Sequence, residues 1–293
     1  MTQKEKTGNN GKGKLYLCAT PIGNLEDMTF RAVRILQEAY LIAAEDTRNS
    51  IRLLNHFDIH TPLTSYHEYN KYDKAHELTQ QMLAGKQVAL ITDAGMPGIS
   101  DPGEELVRIS MEAGIEVCVV PGACACVSAL AISGLPTRRF CFEAFLPSDK
   151  HERRRILDWL KEETRTIVLY EAPHRLKSTL GELARALGPR RISICRELTK
   201  VHEQVLTFTL DEAVSYYETH DPRGEFVLVI EGRSPSEIEQ EERRSWEEIT
   251  VSGHLEMYLA EGMDRKEAMK AVAKDRGVSK REIYSALLEE DKN

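Results

Sequence analysis

The residues best placed for chemistry run through Thr92-Asp93-Ala94-Gly95-Met96-Pro97-Gly98-Ile99-Ser100-Asp101-Pro102-Gly103. Glycines and prolines at this density bring the backbone itself up to a ligand, because glycine lacks the Cβ that would block the approach. The segment follows an apolar strand and leads into a helix. In open α/β sheets, loops beyond the carboxyl ends of strands form the ligand crevice. Asp93 and Gly95, at the very end of the strand, read as ligand-facing. Asp101 reads as the N-cap of the next helix, with Pro102 at its first position and Glu104 three residues after the cap.

Two charged clusters also follow strands. Glu45-Asp46-Thr47-Arg48 comes after an apolar run at Leu41–Ala44, and Glu171 with His174-Arg175 comes after Thr166–Tyr170. A carboxylate or the His174 imidazole is the right type of group to accept a proton, and Arg48 and Arg175 are the right type to grip phosphate. The bland alternative is strand-end ion pairs and helix caps, and the sequence does not choose which carboxylate, or His174, is the base. The loop Ala19–Thr29 is a further candidate, starting where the first strand stops. It is neither a GxGxxG fingerprint nor a Walker A loop, so dinucleotide and nucleoside-triphosphate readings have no support. Gly98-Ile99-Ser100-Asp101-Pro102 lacks the final glycine of a serine-hydrolase elbow. No metal is expected: there is no HExxH helix, and the six cysteines (18, 118, 124, 126, 141 and 195) contain no CxxC pair. Several lie in apolar runs and read as free thiols in a reducing cytosol.

Strands must position these groups. Leu15–Ala19, Leu41–Ala44, Gln87–Thr92 and Glu116–Val120 read as a first α/β unit, with the amphipathic helix Thr29–Ala39 presenting Phe30, Val33 and Leu36 on one face. Gly114 reads as the C-cap of the helix that Asp101 opens. Gly134-Leu135-Pro136 reads as a hinge. Beyond it, Phe140–Phe145, Thr166–Tyr170, Arg191–Cys195, Gln204–Thr209 and Phe226–Glu231 suggest a second, mixed sheet. Pro173 and Gly188-Pro189 bracket a helix. From Ser234 the composition turns charged and then helical, with Gly277 ending one helix and Ser279 capping the next. A chain of 293 residues suits two domains and a small third. The division is 1–13 as a disordered tail, 14–134 and 135–233 as two α/β domains, and 234–293 as a helical attachment. The polar start lacks a signal-peptide centre and no run is long enough to span a membrane, so the expected location is cytoplasmic.

Ala19–Thr29, Ala44–Arg48, Thr92–Gly103, Glu171–Arg175 and Arg223-Gly224-Glu225-Phe226 together, in this order, resemble the tetrapyrrole-methylase superfamily. More narrowly, they resemble its branch of small-subunit methyltransferases I, the 16S ribosomal RNA (cytidine-2′-O)-methyltransferases. The resemblance implies a homodimer of two-domain α/β subunits with S-adenosylmethionine in the cleft between the domains. It places Pro21, Asp93, Ala94, Gly95, Ile99, Ser128, Ala129, Tyr170 and Leu198 around that cofactor, and 16S ribosomal RNA or the small subunit as partner. Tetrapyrrole-modifying relatives carry a GxGxGD loop where this chain has Ala19-Thr20-Pro21-Ile22-Gly23-Asn24, which points away from a porphyrinoid substrate. The rival readings are a same-fold methyltransferase of a porphyrinoid or a protein side chain, and a non-catalytic RNA-binding module.

A net charge of −8 argues against nonspecific coating of nucleic acid. Local basic clusters remain: Arg138-Arg139, Arg153-Arg154-Arg155, Arg190-Arg191, and Arg196 with Lys200. Asp264–Arg281 carries seven Lys/Arg against three Asp/Glu, a local reversal suited to phosphate contact.

Overall fold

A computed structural model describes residues 11–234, 236, 238, 244–246 and 248–290. The tail reading for the first ten residues, and most of the linker reading for Ser234–Arg244, lie outside them. The described chain forms two compact units, one of 11–160 with 166–231 and one of 161–165 with the residues from 232 onward.

The first unit opens with β1 (Lys14–Cys18), α1 (Phe30–Glu38), β2 (Leu41–Ala44), α2 (Thr47–His56), β3 (Leu63–Ser65), α3 (Lys71–Leu83), β4 (Val88–Ile91), α4 (Gly103–Glu112), β5 (Glu116–Val120) and α5 (Ala125–Ile132). Its strands lie in the order β3-β2-β4-β1-β5, all parallel. Helices cover both faces: Leu78, Leu106 and Ile109 pack on one, Ala32, Leu36 and Leu54 on the other. That is why all four residues of the central β4 are apolar and buried. The chain leaves β1 towards β2 and leaves β4 towards β5, in opposite directions, so the crevice of this doubly wound sheet opens past the ends of β1 and β4. The short β3 has too little apolar alternation to read as a strand in the sequence. It forms because Leu63, Thr64 and Ser65 pair with Ile42, Ala43 and Ala44.

The second sheet is built from β6 (Phe140–Phe145), β7 (Thr166–Glu171), β8 (Arg191–Arg196), β9 (Gln204–Thr209) and β10 (Phe226–Ile230), with α6 (Lys150–Glu162), α7 (Pro173–Leu187) and α8 (Leu210–Thr219) between them. The order is β6-β7-β10-β8-β9. β6 and β7 run parallel and the other pairings are antiparallel, the mixed sheet that the sequence implies. In α7, Pro173 occupies the first turn, Gly188 ends the helix, and Leu176, Leu180, Leu183 and Leu187 share one buried face. Each such leucine contributes about 2 kcal/mol relative to leaving it in water.

Three local readings need correction. Phe30 is not on the core face of α1: it is 99% exposed, and Ala32, Ile35 and Leu36 are buried instead. Asp101 is not the N-cap of α4, because the cap position falls on Pro102. Its carboxylate instead gathers the amides of Gly98 at 2.8 Å, Ile99 at 3.3 Å and Gly103 at 2.7 Å, which makes it the brace of the whole loop. Gly134-Leu135-Pro136 does not hang free as a hinge. Leu135 is buried, and Ser133 Oγ donates to Leu130 O while accepting from Leu135 N. The helix before it, α5, packs on β7 and β10 through Cys126, Ala129 and Leu130, so the two sheets share a core cluster.

The second unit contains α9 (Val251–Ala260), α10 (Arg265–Asp275) and α11 (Lys280–Glu290), closed around Leu255, Met269, Val272 and Ile283. Gly277 adopts φ +64° just past α10. Ser279 and Glu282 exchange side-chain-to-backbone bonds at the start of α11, a reciprocal cap. His254 is buried here, stacked on Trp246 at 3.8 Å. Burial and the adjacent Arg276, which donates to its Nδ1, hold this imidazole below the usual range, so it is neutral.

Candidate active site

The crevice past β1 and β4 is built by backbone pairing. Thr20 N donates to Gly95 O at 2.9 Å and Gly95 N to Thr20 O at 3.1 Å, so the loops after the two strands are zipped together. Gly95 has φ +86°, a conformation side-chain-bearing residues rarely adopt, and an added Cβ would lie 3.2 Å from Ile22 Cγ2. A Cβ on Gly103 would meet the Asp101 carboxylate at 2.7 Å. Close approaches thus account for Gly95 and Gly103, and a left-handed backbone at φ +83° accounts for Gly98.

A cavity of about 420 Å³ opens beside this zipper. Ile22, Ala94, Gly95, Met96 and Ile99 line it from the loops after β1 and β4, Cys124 and Ala125 from the start of α5, Phe145, Tyr170 and Phe226 from the second sheet, and Leu198 from the loop after β8. Tyr170 is fixed by a hydrogen bond that the Cys126 amide donates to its hydroxyl oxygen at 3.2 Å and by edge-to-face contact with Phe142 at 4.9 Å. Leu198 is held between Glu197 and Thr199, both at positive φ, so the loop after β8 spends backbone strain to present it. The charged side chains among the described lining residues are Glu45, Asp101, Glu171 and Glu225, all carboxylates.

The proposed cofactor residues divide accordingly. Ala94, Gly95, Ile99, Tyr170 and Leu198 line the cavity. Pro21 stands beside it, where Ile22 is the lining residue. Asp93 is exposed and its Oδ1 accepts from Asp46 N at 3.1 Å, tying the β2 and β4 ends together. Ser128 and Ala129 lie further along α5 than the lining pair Cys124 and Ala125, and Ala129 is buried.

The charged clusters divide too. Asp46 caps α2 and holds Arg48 through Nε at 3.1 Å and Nη2 at 2.8 Å. That pairing draws the Asp46 carboxyl down to about 2, which makes it a weak base. The Arg48 side chain is 88% exposed, leaving its outer edge available. Glu171 lines the cavity but is almost fully buried, bonded to Thr179 Oγ1 and its neighbour's amide, with Arg175 Nε at 3.7 Å. Arg175 donates to Leu146 O at 2.6 Å. This pair braces the wall. His174 is exposed and does not line the cavity.

Glu45 stands in the sequence only as one member of the Glu45–Arg48 cluster, and its place in the fold sets it apart. It lies immediately after β2, lines the cavity, and accepts a hydrogen bond from Thr92 Oγ1 at 2.9 Å. Partial burial raises its carboxyl above the usual glutamate range; Asp93 and Asp101 add to the rise, against the Thr92 bond. The signal was its place at a strand end next to β4, ahead of the capping Asp46. The basic clusters change meaning as well. Arg153 is buried against Glu182 and Thr179, Arg190 reaches Leu160 O, Arg191 pairs with Glu231, and Lys200 pairs with Glu197 and Glu225. Arg138, Arg139, Arg154 and Arg155 stay exposed.

Residues 14–214 match the family described as Tetrapyrrole (Corrin/Porphyrin) Methylases. A Halalkalibacterium halodurans protein named Ribosomal RNA small subunit methyltransferase I is 51% identical over 289 residues, 99% of each chain. A Thermotoga maritima protein of the same name is 47% identical over 221 residues, which is 99% of that protein but 75% of this chain. Among solved structures, a Thermus thermophilus uroporphyrin-III C-methyltransferase complexed with S-adenyl homocysteine shares the fold, with a TM-score of 0.51 and 21% identity over 74% of this chain and 97% of that one. Spanned almost end to end by the first of these relatives, the chain belongs to the ribosomal RNA small subunit methyltransferase I family, within the tetrapyrrole methylases.

Proposed function

We propose that this chain transfers a methyl group from S-adenosylmethionine to the ribose 2′-hydroxyl of a cytidine in small-subunit (16S) ribosomal RNA. The observation that carries the cofactor assignment is the cavity itself. Its walls are apolar, and its charged lining residues, among those described, are carboxylates. Such a site repels nucleotide phosphates and suits a cofactor that carries a sulfonium and an ammonium. The residues that would hold it are Ile22, Ile99, Tyr170 and Leu198 as apolar walls, the Ala94-Gly95 backbone, and Asp101 on the acidic side. When bound, S-adenosylmethionine supplies an electrophilic methyl group that needs no metal to activate it. The fold neighbour complexed with S-adenyl homocysteine supports this reading.

What remains for the chain is to position the acceptor in line and to take its proton. Glu45 is suited to the second task, being a cavity carboxylate with a raised proton affinity. Arg48, exposed in the first turn of α2, is suited to gripping an RNA phosphate, with Asp46 fixing its geometry. Glu171 and Arg175 serve as wall braces, and His174 is exposed outside the cavity.

The RNA assignment rests on the names of the relatives and on the helical unit, where Lys270, Lys274, Lys280 and Arg281 are exposed. Arg276 is spent internally on Ile249 O and Thr250 O. We infer a homodimer from the apolar side chains left uncovered around one edge. Phe30, Val119 on the edge strand β5 and Val127 on α5 are exposed, and a second copy is the occupant proposed to cover them.

The test is transfer of labelled methyl to small ribosomal subunits, to naked small-subunit RNA and to a porphyrinoid, by the full chain and by a chain ending after Ser234. The truncation keeps the whole first unit, and the Thermotoga relative is a protein of this family with no more residues than that. Label should enter RNA and not the porphyrinoid. The truncated chain should still bind S-adenosylmethionine, while its RNA affinity drops. Its salt dependence should flatten by about 0.7–0.9 in log–log slope for each phosphate it no longer grips. An unchanged salt slope would remove the helical unit from RNA binding, and labelled porphyrinoid would overturn the substrate assignment.

A further inference from the structure

Two thiols beside the cavity have no part in methyl transfer. Cys124 Sγ and Cys126 Sγ stand 3.5 Å apart. Cys124 lines the cavity and occupies the cap position of α5, while Cys126 is buried behind it with its amide bound to the Tyr170 hydroxyl. A hydrogen bond from the Cys126 thiol, helped by the Val127 and Cys126 amides, holds the Cys124 thiol below the ordinary range despite its partial burial. The thiolate is the nucleophilic form, and Cys124 is the member of the pair that holds it. Burial instead pushes Cys18 up to about 12 and Cys195 up to about 11, so those thiols are inert.

We propose that Cys124 and Cys126 form a hydroperoxide-sensitive dithiol whose oxidation to an internal disulfide closes the cavity to its cofactor. Hydrogen peroxide is the oxidant. The Cys124 thiolate attacks one peroxide oxygen, the O–O bond breaks, and the departing hydroxide takes a proton to become water, leaving a sulfenic acid. Cys126 then attacks the sulfenic sulfur: the S–S bond forms, the S–O bond breaks, and the Cys126 proton leaves with the hydroxide as a second water. Two thiols lose two electrons and one peroxide gains them. Closing the gap from 3.5 Å to a bond of about 2.05 Å drags the first turn of α5, which supplies Cys124 and Ala125 to the cavity and anchors Tyr170.

The full chain is treated with hydrogen peroxide, alkylated after denaturation, and digested with trypsin. The peptide Ile109–Arg138 contains Cys118, Cys124 and Cys126. It should be lighter by about two mass units before alkylation and keep one alkylated cysteine, Cys118. S-adenosylmethionine affinity should fall by about tenfold or more and return with dithiothreitol, and bound cofactor should slow the reaction. Cys126→Ser, which keeps a hydrogen-bond donor beside Cys124, should stop at a sulfenic acid on Cys124 that dimedone traps, and Cys126→Ala should reach the same product more slowly. Three alkylated cysteines after excess peroxide would overturn the proposal, as would a disulfide that leaves affinity unchanged. The affinity reading rests on the cofactor assignment above. If untreated protein binds no S-adenosylmethionine, that assignment fails, and the mass change alone still decides whether the dithiol exists.

Discussion

Replacing Glu45 with glutamine should lower kcat for methyl transfer by roughly 10²–10⁴-fold, the usual contribution of a positioned base, while S-adenosylmethionine affinity changes little. Glutamine keeps the size and still accepts the Thr92 hydroxyl bond of 2.9 Å, so the cavity wall is preserved. What disappears is the proton acceptor. The raised carboxyl of Glu45 also fixes the sign of the pH dependence. The base works only when ionised, so parental kcat should climb with pH along an acid limb lying above the ordinary glutamate value of about 4.3. The Glu45→Gln enzyme should lose that limb. Linkage runs the other way for stability. A carboxyl whose folded pKa is raised contributes stability below its unfolded value and loses it as pH rises through the folded one, so the neutral variant should be no less stable than the parent at pH 7. A low rate therefore cannot be blamed on unfolding. Parental kcat in Glu45→Gln would transfer the role to another group and leave Glu45 as a wall residue.

The second large effect belongs to Gly95. Gly95→Val should reduce S-adenosylmethionine affinity by more than about tenfold, equivalent to about 1.4 kcal/mol, in protein that still shows its full helix signal. A residue with a Cβ at φ +86° carries strain of about 1–3 kcal/mol, and a branched one sits at the upper end. The site has two ways to relieve it. Either the Thr20–Gly95 zipper opens, or the side chain pushes on Ile22, and both deform the same cavity wall. Gly95→Ala should fall between. Asp46→Ala is the contrast, because it loosens Arg48 outside the cavity and should lower turnover with little change in cofactor affinity. Calorimetry on the three variants separates the cases, and normal affinity in folded Gly95→Val would remove this loop from the cofactor site.

The parts of the architecture that one segment decides locally were legible in the sequence. Val88–Ile91 is apolar throughout because it is sandwiched, Pro173 and Gly188 bracket α7, and Ser279 with Glu282 forms a cap within four residues. The crevice was legible too, since strand-end glycines and carboxylates converge past β1, β2 and β4. What could not be read depends on neighbours distant in sequence. Glu171 looks like a base until Thr179 and Arg175 close on it, and Arg153 looks like a phosphate ligand until Glu182 takes it. Phe30 satisfies the helical period of α1 yet points to solvent, because periodicity gives a face and not its width. Packing of α5 on the second sheet carries no local mark in the sequence, and it decides which residues of that helix reach the cavity.

The most direct test of the account is the chemical identity of the methylated product. Small ribosomal subunits lacking the modification, kept in magnesium, are incubated with methyl-labelled S-adenosylmethionine and the full chain, which has first been treated with a metal chelator and freed of it. The RNA is then digested to nucleosides and the label is followed by chromatography and mass spectrometry. Label in 2′-O-methylcytidine, at the same rate with chelator-treated as with untreated protein, is the predicted result. Label on a base nitrogen or carbon, or transfer lost after the protein alone has been stripped of bound metal and recovered only when a metal other than magnesium is returned, would contradict it.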